Sequence, residues 1–229
     1  MTTIPTPRVT PSEVLSRLRT LRIIPVIVID DASNAVPLAT ALMDGGLPCA
    51  EVTFRTATAA ESIRRIAAEC PGMLVGAGTV LTPHQASRAR EAGASFVVAP
   101  GFNPAVVDYC LEQNIPVYPG VCTPTEIEMA LGKGLKTLKF FPAEAAGGLP
   151  FLKAVAAPYA GVEFIPTGGI TRQNLRDYLA FKRVVACGGS WLATTESIAG
   201  RRFGAIRDEA EQAMRVVREL TKTDAGGAR

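Results

Sequence analysis

The chain has 229 residues, 48% apolar and 20% charged, with a net charge of +3. That is enough apolar matter for one large core, and the charge is too small and the eighteen arginines too scattered to build a nucleic-acid or anionic-membrane face. The apolar run at 23–29 is too short to span a bilayer and contains Pro25, and the polar, proline-rich stretch 1–12 has no signal-peptide core, so a cytoplasmic protein is expected.

In chain order, a helix over 11–19 precedes a β-rich apolar run at 24–29. Asp30 and Asp31 end that run, where a carboxylate can cap the next helix, and Ser33 is a second capping candidate. Ala35, Leu38, Ala39, Leu42 and Met43 then follow at i, i+3, i+4, i+7 and i+8, one face of a helix. A strand at 50–54 comes next, then a helix with Ala59, Ile63, Ile66, Ala67 and Cys70 on one stripe. Further strands are expected at 73–76, 96–99, 116–119, 137–141, 163–166 and 184–187. Asn103-Pro104 reads as a cap with proline at the first helical position, and Thr171 as the cap of a helix that buries Leu175, Tyr178 and Leu179. A last helix over 203–220 carries Ile206, Ala210, Ala213, Val217 and Leu220 on one face and leaves a tail at 221–229.

Strands that alternate with helices imply right-handed βαβ units and a parallel sheet. Eight strands favour closure into a (β/α)8 TIM barrel over an open doubly wound sheet. No linker divides the chain, so a single domain 1–229 is expected: an N-terminal segment and extra helix at 1–22, a barrel at 23–200, and a C-terminal helix and tail at 201–229.

The five cysteines are widely spaced, without a CxxC pair, and His84 is the sole histidine. Neither a zinc site, a disulfide framework nor a histidine-based triad is expected. Lysine is more informative: there are six, none before Lys133, and Lys139 lies inside the apolar strand Leu138-Lys139-Phe140-Phe141. An ammonium there is costly unless it is paired or has lost its proton, and an amine with a lowered pKa is a nucleophile toward carbonyl carbons. Lys136, at the strand entrance, reads instead as a lysine that reaches water.

In a barrel strand alternate side chains point inward. In 51–55 this parity places Glu51, Thr53 and Arg55 inside and Val52 and Phe54 against the helices; in 137–141 it places Thr137, Lys139 and Phe141 inside. Glu51 and Arg55 read either as a buried ion pair that only balances itself, or as a proton carrier and a bidentate clamp for a substrate carboxylate. Glycine-rich turns end three strands: Gly76-Ala77-Gly78-Thr79, Thr167-Gly168-Gly169 and Gly188-Gly189-Ser190. Two such turns at the seventh and eighth strands fit a phosphate held by backbone N–H groups, with Thr167 or Ser190 adding a hydroxyl. Glu144 reads as a loop or helix-start carboxylate, and Trp191 as packing.

Pro25-Val26-Ile27-Val28-Ile29, Glu51-Val52-Thr53-Phe54-Arg55-Thr56, Gly76-Ala77-Gly78-Thr79-Val80, Lys139-Phe140-Phe141-Pro142-Ala143-Glu144, Pro166-Thr167-Gly168-Gly169-Ile170 and Gly188-Gly189-Ser190-Trp191 occur in that order. Together they resemble the bacterial 2-keto-3-deoxy-6-phosphogluconate (KDPG) aldolase family, which overlaps 4-hydroxy-2-oxoglutarate (KHG) aldolase. The resemblance runs from about residue 23 to 191. It implies a class I aldolase on a β/α barrel, without metal or cofactor, as a homotrimer. Its small-molecule partners would be a phosphorylated keto acid and pyruvate, with no nucleic acid and no membrane. By the same resemblance Lys139 is the Schiff-base lysine and Glu51 the general acid/base. Arg55 and Thr79 are similar to the carboxylate-binding residues, and Phe141 to the aromatic beside the keto acid. Gly168, Gly169, Gly189 and Ser190 match the phosphate end, with Thr167 beside them. Phe54 stands where leucine is expected in the family. KHG cleavage, cleavage of the phosphogalactonate epimer, a phosphate-binding barrel isomerase or synthase, and a sugar-phosphate sensor are the alternatives.

Overall fold

A computed structural model describes residues 9–226. The expected termini at 1–8 and 227–229 lie outside the described residues. Helix α1 (Pro11–Leu21) opens on a capping box, with Thr10 and Glu13 satisfying each other's backbone N–H groups and Pro11 in the first turn. Arg22 ends it in the left-handed conformation (φ 62°). The chain then alternates: β1 (Ile23–Ile27), α2 (Ala35–Asp44), β2 (Cys49–Thr53), α3 (Ala59–Glu69), β3 (Leu74–Gly78), α4 (Pro83–Glu91), β4 (Val97–Val98), α5 (Pro104–Glu112), β5 (Val117–Tyr118), β6 (Gly120–Val121), α6 (Pro124–Gly132), β7 (Thr137–Phe140), α7 (Gly148–Ala156), β8 (Glu163–Pro166), α8 (Arg172–Ala180), β9 (Cys187–Gly189), α9 (Thr195–Ala199) and α10 (Phe203–Gly226).

Local chemistry explains most boundaries. Asn103 accepts from the Ala105 N–H at 3.0 Å and caps α5, and Thr171 forms a capping box with Asn174 at the start of α8, as their positions imply. Before α2 the cap is Asp31, whose carboxylate accepts from the Ser33 N–H at 2.8 Å and so starts a short 3-10 turn. The strand expected at 116–119 is shorter, β5 alone, because Pro119 has no N–H to donate to a ladder, and pairing resumes beyond it in β6. The strand expected at 184–187 starts its regular pairing only at Cys187; Val184 makes a single bridge to Phe164. The tail expected from 221 is helical through Gly226.

All ladders are parallel. Six strands form a curled sheet in the order β5-β4-β3-β2-β1-β9, and three form a second ladder, β6-β7-β8. The bridges Phe164↔Val184 and Thr167↔Gly188 link β8 to the β9 segment. The expected alternation of strand and helix is therefore present, with the pairing divided between six and three strands. One core lies between strands and helices and is built from residues such as Ile27, Val52, Leu138 and Phe164. A second fills the concave side of the sheet: Ile24, Cys49, Leu74, Phe96, Tyr118 and Ile165 meet Val14 and Leu18 of α1 there. Helix α1 thus closes one end of the interior, fastened by Arg17 to the Gly72 carbonyl at 2.7 Å and by Arg19 to Glu163. Helix α10 packs on α2 and α8. Among the described residues no helix is long and apolar enough to cross a membrane.

Candidate active site

Every residue of β2 and of β7 is buried, as expected for parallel strands covered on both faces. A charge in either strand therefore needs a local reason. Glu51 sits in the middle of β2, level with Val26 of β1 and Gly76 of β3. Lys139 sits in β7, level with Gly120 and Ile165. The two side chains are 2% and 4% exposed as residues, and Lys139 Nζ stands 3.6 Å from Glu51 Oε1. Strand parity thus brings together two residues from separate ladders.

The geometry is not that of a pair built for stability. A charge-assisted hydrogen bond would close to about 2.7–2.9 Å and satisfy the remaining lone pairs. Here Glu51 Oε1 is buried without any hydrogen-bond partner among the described residues. An orphaned buried oxygen calls for a functional account. Gly78 of β3 makes room for it: a Cβ built there would lie 2.2 Å from Glu51 Oε1. The sequence marked Gly78 as part of a turn; its role beside Glu51 follows from the β2–β3 register, where it pairs with Thr53. The Lys139 side chain ends over the Phe141 ring, with Nζ 5.2 Å from the centroid, so an aromatic face borders that nitrogen.

Arg55 departs from the parity argument. Strand β2 ends at Thr53, so Arg55 lies in the following turn and is exposed. The cation within ion-pair distance of Glu51 is Lys139, and the buried Glu51–Arg55 pair does not form. Arg55 has no carboxylate partner among the described residues, which leaves its guanidinium available at the rim. Thr53 is buried and donates to the Ile27 carbonyl at 2.9 Å, a structural bond between β2 and β1. Phe54 is half-buried, with the Arg88 guanidinium 5.9 Å above its ring. Thr79, directly after β3, is half-buried with φ 53°. A β-branched residue rarely adopts that left-handed conformation, and such positions cost about 1–3 kcal/mol and cluster at functional sites.

Of the three glycine turns expected, Gly76 and Gly78 belong to β3 and Gly188 and Gly189 to β9, because parallel pairing continues through them; only Thr167-Gly168-Gly169 leads into a turn, and it lies beside the end of β9. Thr167 is buried and bridges to Gly188, whose added Cβ would meet the Thr167 hydroxyl at 2.2 Å. Gly168 (φ 98°) and Gly169 (φ 80°) need the conformational freedom of glycine, and Gly168 lies against the Phe141 ring. Gly189 is buried on the Trp191 ring, and Ser190 is exposed. Lys136 is exposed at its strand entrance, and His84 is exposed on α4. Burial pushes the Cys49 and Cys187 thiols far above the ordinary thiol range and Cys110 up to about 12, so these thiols stay protonated and are poor nucleophiles. Cavities of about 360 and 810 Å³ are not lined by Lys139 or Glu51; the larger is bordered by Glu144, Gly148, Asn174 and Tyr178.

A buried lysine beside a carboxylate with one oxygen free of hydrogen bonds is equipment for imine chemistry, and residues 14–208 match the family model described as KDPG and KHG aldolase. The chain belongs to that family. It is 50% identical over 204 residues to the 2-dehydro-3-deoxy-phosphogluconate aldolase of Treponema pallidum, covering 89% of this chain and 97% of that protein. It is 45% identical over 199 residues to the KHG/KDPG aldolase of Escherichia coli K12, covering 87% and 93%. Among solved structures, the KDPG aldolase of Legionella pneumophila superposes with a TM-score of 0.85 at 38% identity, over 90% of this chain and 98% of that one. That crystal structure holds pyruvate, captured at low pH as a covalent carbinolamine intermediate. The thiamine phosphate pyrophosphorylase of Pyrococcus furiosus, at 18% identity and a TM-score of 0.65, shares the fold alone with this KDPG/KHG aldolase family member.

Proposed function

We propose that this chain is a class I aldolase, a lyase that reversibly cleaves 2-keto-3-deoxy-6-phosphogluconate to pyruvate and glyceraldehyde 3-phosphate. The observation that carries the reading is the Lys139 amine, buried 3.6 Å from the unpartnered Glu51 oxygen. In the reaction, Lys139 Nζ adds to the C2 ketone, and the carbinolamine loses water to give a protonated imine. Glu51, directly or through a water, takes the proton of the C4 hydroxyl. The C3–C4 bond breaks, its electron pair moves into the imine to form an enamine, and glyceraldehyde 3-phosphate leaves. Glu51 returns the proton to C3, water hydrolyses the imine, and pyruvate and the free amine result.

Arg55 and Thr79 hold the substrate carboxylate in this scheme, fixing the keto carbon near Lys139, and Phe141 packs beside it. The Thr167-Gly168-Gly169 turn and the end of β9 at Gly189 and Ser190 receive the phosphate through backbone N–H groups and hydroxyls. The paired turns, with small residues at close approach, support a phosphorylated substrate over the unphosphorylated 4-hydroxy-2-oxoglutarate. The imine itself is the electron sink, so no metal or cofactor is required. The rest of the proposal concerns assembly. The six-strand and three-strand ladders, continuous through Pro119 and linked by the β8–β9 bridges, are read as one closed (β/α)8 barrel with α1 and α10 as additions. It works in the cytoplasm as a homotrimer.

The direct test compares kcat/KM for KDPG, its galactonate epimer and 4-hydroxy-2-oxoglutarate. The highest value is expected with KDPG. A preference for 4-hydroxy-2-oxoglutarate would instead make this a KHG aldolase, and no cleavage of any of the three would end the aldolase reading.

A further inference from the structure

The proposed chemistry leaves one carboxylate beside the site unused. Glu144 stands just beyond β7, in the turn that continues from Lys139 and Phe141. Its residue is exposed, yet its Oε1 accepts a 2.5 Å hydrogen bond from the hydroxyl of Tyr178. Tyr178 is on α8 and only 1% exposed. The same turn is stitched to the turn after β8: the Ala143 N–H donates to the Thr167 carbonyl at 2.8 Å, and the Glu144 N–H to the Gly168 carbonyl at 3.0 Å. The stem of Glu144 then covers Gly169, whose added Cβ would lie 2.5 Å from Glu144 Cβ and 2.7 Å from Cγ. On its other side Gly169 is held by Asn174, which donates to the Gly169 carbonyl at 3.1 Å.

We infer that Glu144 and Tyr178 are a positioning pair that sets the Gly168–Gly169 turn at a fixed distance from Lys139, and so makes the enzyme selective for keto acids with a remote phosphate. The inference rests on the aldolase reading above and deepens its phosphate end. The physical reason is geometric. A phosphate held by backbone N–H groups is recognised only if those groups converge, and glycines in the left-handed region are free to drift. The carboxylate removes that freedom, because Gly169 is trapped between the Glu144 stem and Asn174. Glu144 is in turn held to α8, and burial and the adjacent carboxylate keep the Tyr178 hydroxyl protonated and donating. Neither side chain touches the reacting atoms; each acts through the turn.

The test uses the full-length protein with Tyr178→Phe, Glu144→Ala and Glu144→Gln. The readout is the ratio of kcat/KM for KDPG to that for 4-hydroxy-2-oxoglutarate, which lacks the phosphate. Tyr178→Phe and Glu144→Ala should lower the ratio about tenfold, the value of one well-placed hydrogen bond, through a higher KM for KDPG. Glu144→Gln keeps an amide oxygen that can accept from Tyr178 and should recover most of the ratio. A ratio unchanged in both truncations overturns the inference, and so does an equal loss on both substrates, which marks a general folding role. Because Glu144 is exposed, its truncation reports even where Tyr178→Phe fails to fold. A wild-type ratio near one is a different outcome: it removes the phosphate reading of the glycine turns, and this inference with it.

Discussion

At single residues, burying Lys139 beside Glu51 is costly. A buried lysine and glutamate lose hydration that a 3.6 Å contact repays poorly, so the pair is better explained by work than by stability. Glu51→Gln should therefore keep the fold and still capture pyruvate on the lysine, while kcat falls by about 10²–10⁴, the usual worth of a general acid/base. Near-wild-type turnover in that variant would remove Glu51 as proton carrier. Arg55 carries a separate expectation. Its exposed guanidinium should act on substrate binding, so Arg55→Ala raises KM for keto acids by about tenfold or more, the worth of a charged hydrogen bond, with a smaller change in kcat. Lys139 and Glu51 were legible in the sequence because the period of two in a strand fixes which side chains share an interior. The exposed place of Arg55 was not, since parity holds only while the strand lasts, and β2 stops at Thr53. Glu144 and Tyr178 were illegible for another reason: one lies in the turn after β7 and the other late in α8, and no periodic pattern connects them.

Among the elements, β3 and α1 matter most to the site. The β2–β3 register sets Gly78 beside the Glu51 carboxylate, and a methyl group there collides with it at 2.2 Å. Gly78→Ala is expected to keep the folded circular dichroism spectrum and to lose about 1–3 kcal/mol of stability from the overpacking, while kcat drops about 10²-fold, the effect of displacing a catalytic group by about 1 Å. Unchanged kinetics would mean that the carboxylate position is unimportant. Helix α1 fills the interior at the end away from the glycine turns, and Leu18 is fully buried there. Leu18→Ala should cost about 2–5 kcal/mol in denaturant unfolding. The stripes, caps and prolines of the helices were readable in the sequence, as Asn103 and Thr171 show. Strand ends were less so, because hydrogen-bond partners decide them: Pro119 interrupts a run that hydrophobicity alone joins, and Val184 finds one bridge where a ladder was expected.

For the whole molecule, the alternation of strand and helix was plain from the sequence, while the division of the ladders was not. The chain's motifs lie within the matched span 14–208, so the family resemblance and the family model agree on where the enzyme resides. The proposed trimer should give about three times the 24.1 kDa chain mass in light scattering. A monomer mass at micromolar concentration would contradict the trimer without touching the chemistry. The chemistry should also survive prolonged chelation, since the imine supplies the electron sink. Activity lost in chelator and restored by a divalent ion would place the reaction in the metal-dependent class. The central claim is that Lys139 bonds covalently to the keto carbon. The measurement that meets it most directly is borohydride reduction in the presence of pyruvate, followed by peptide mapping. The account predicts one reduced pyruvyl adduct per chain, on the peptide that contains Lys139, and none in Lys139→Ala; an adduct on another lysine, or no adduct with active enzyme, would contradict it.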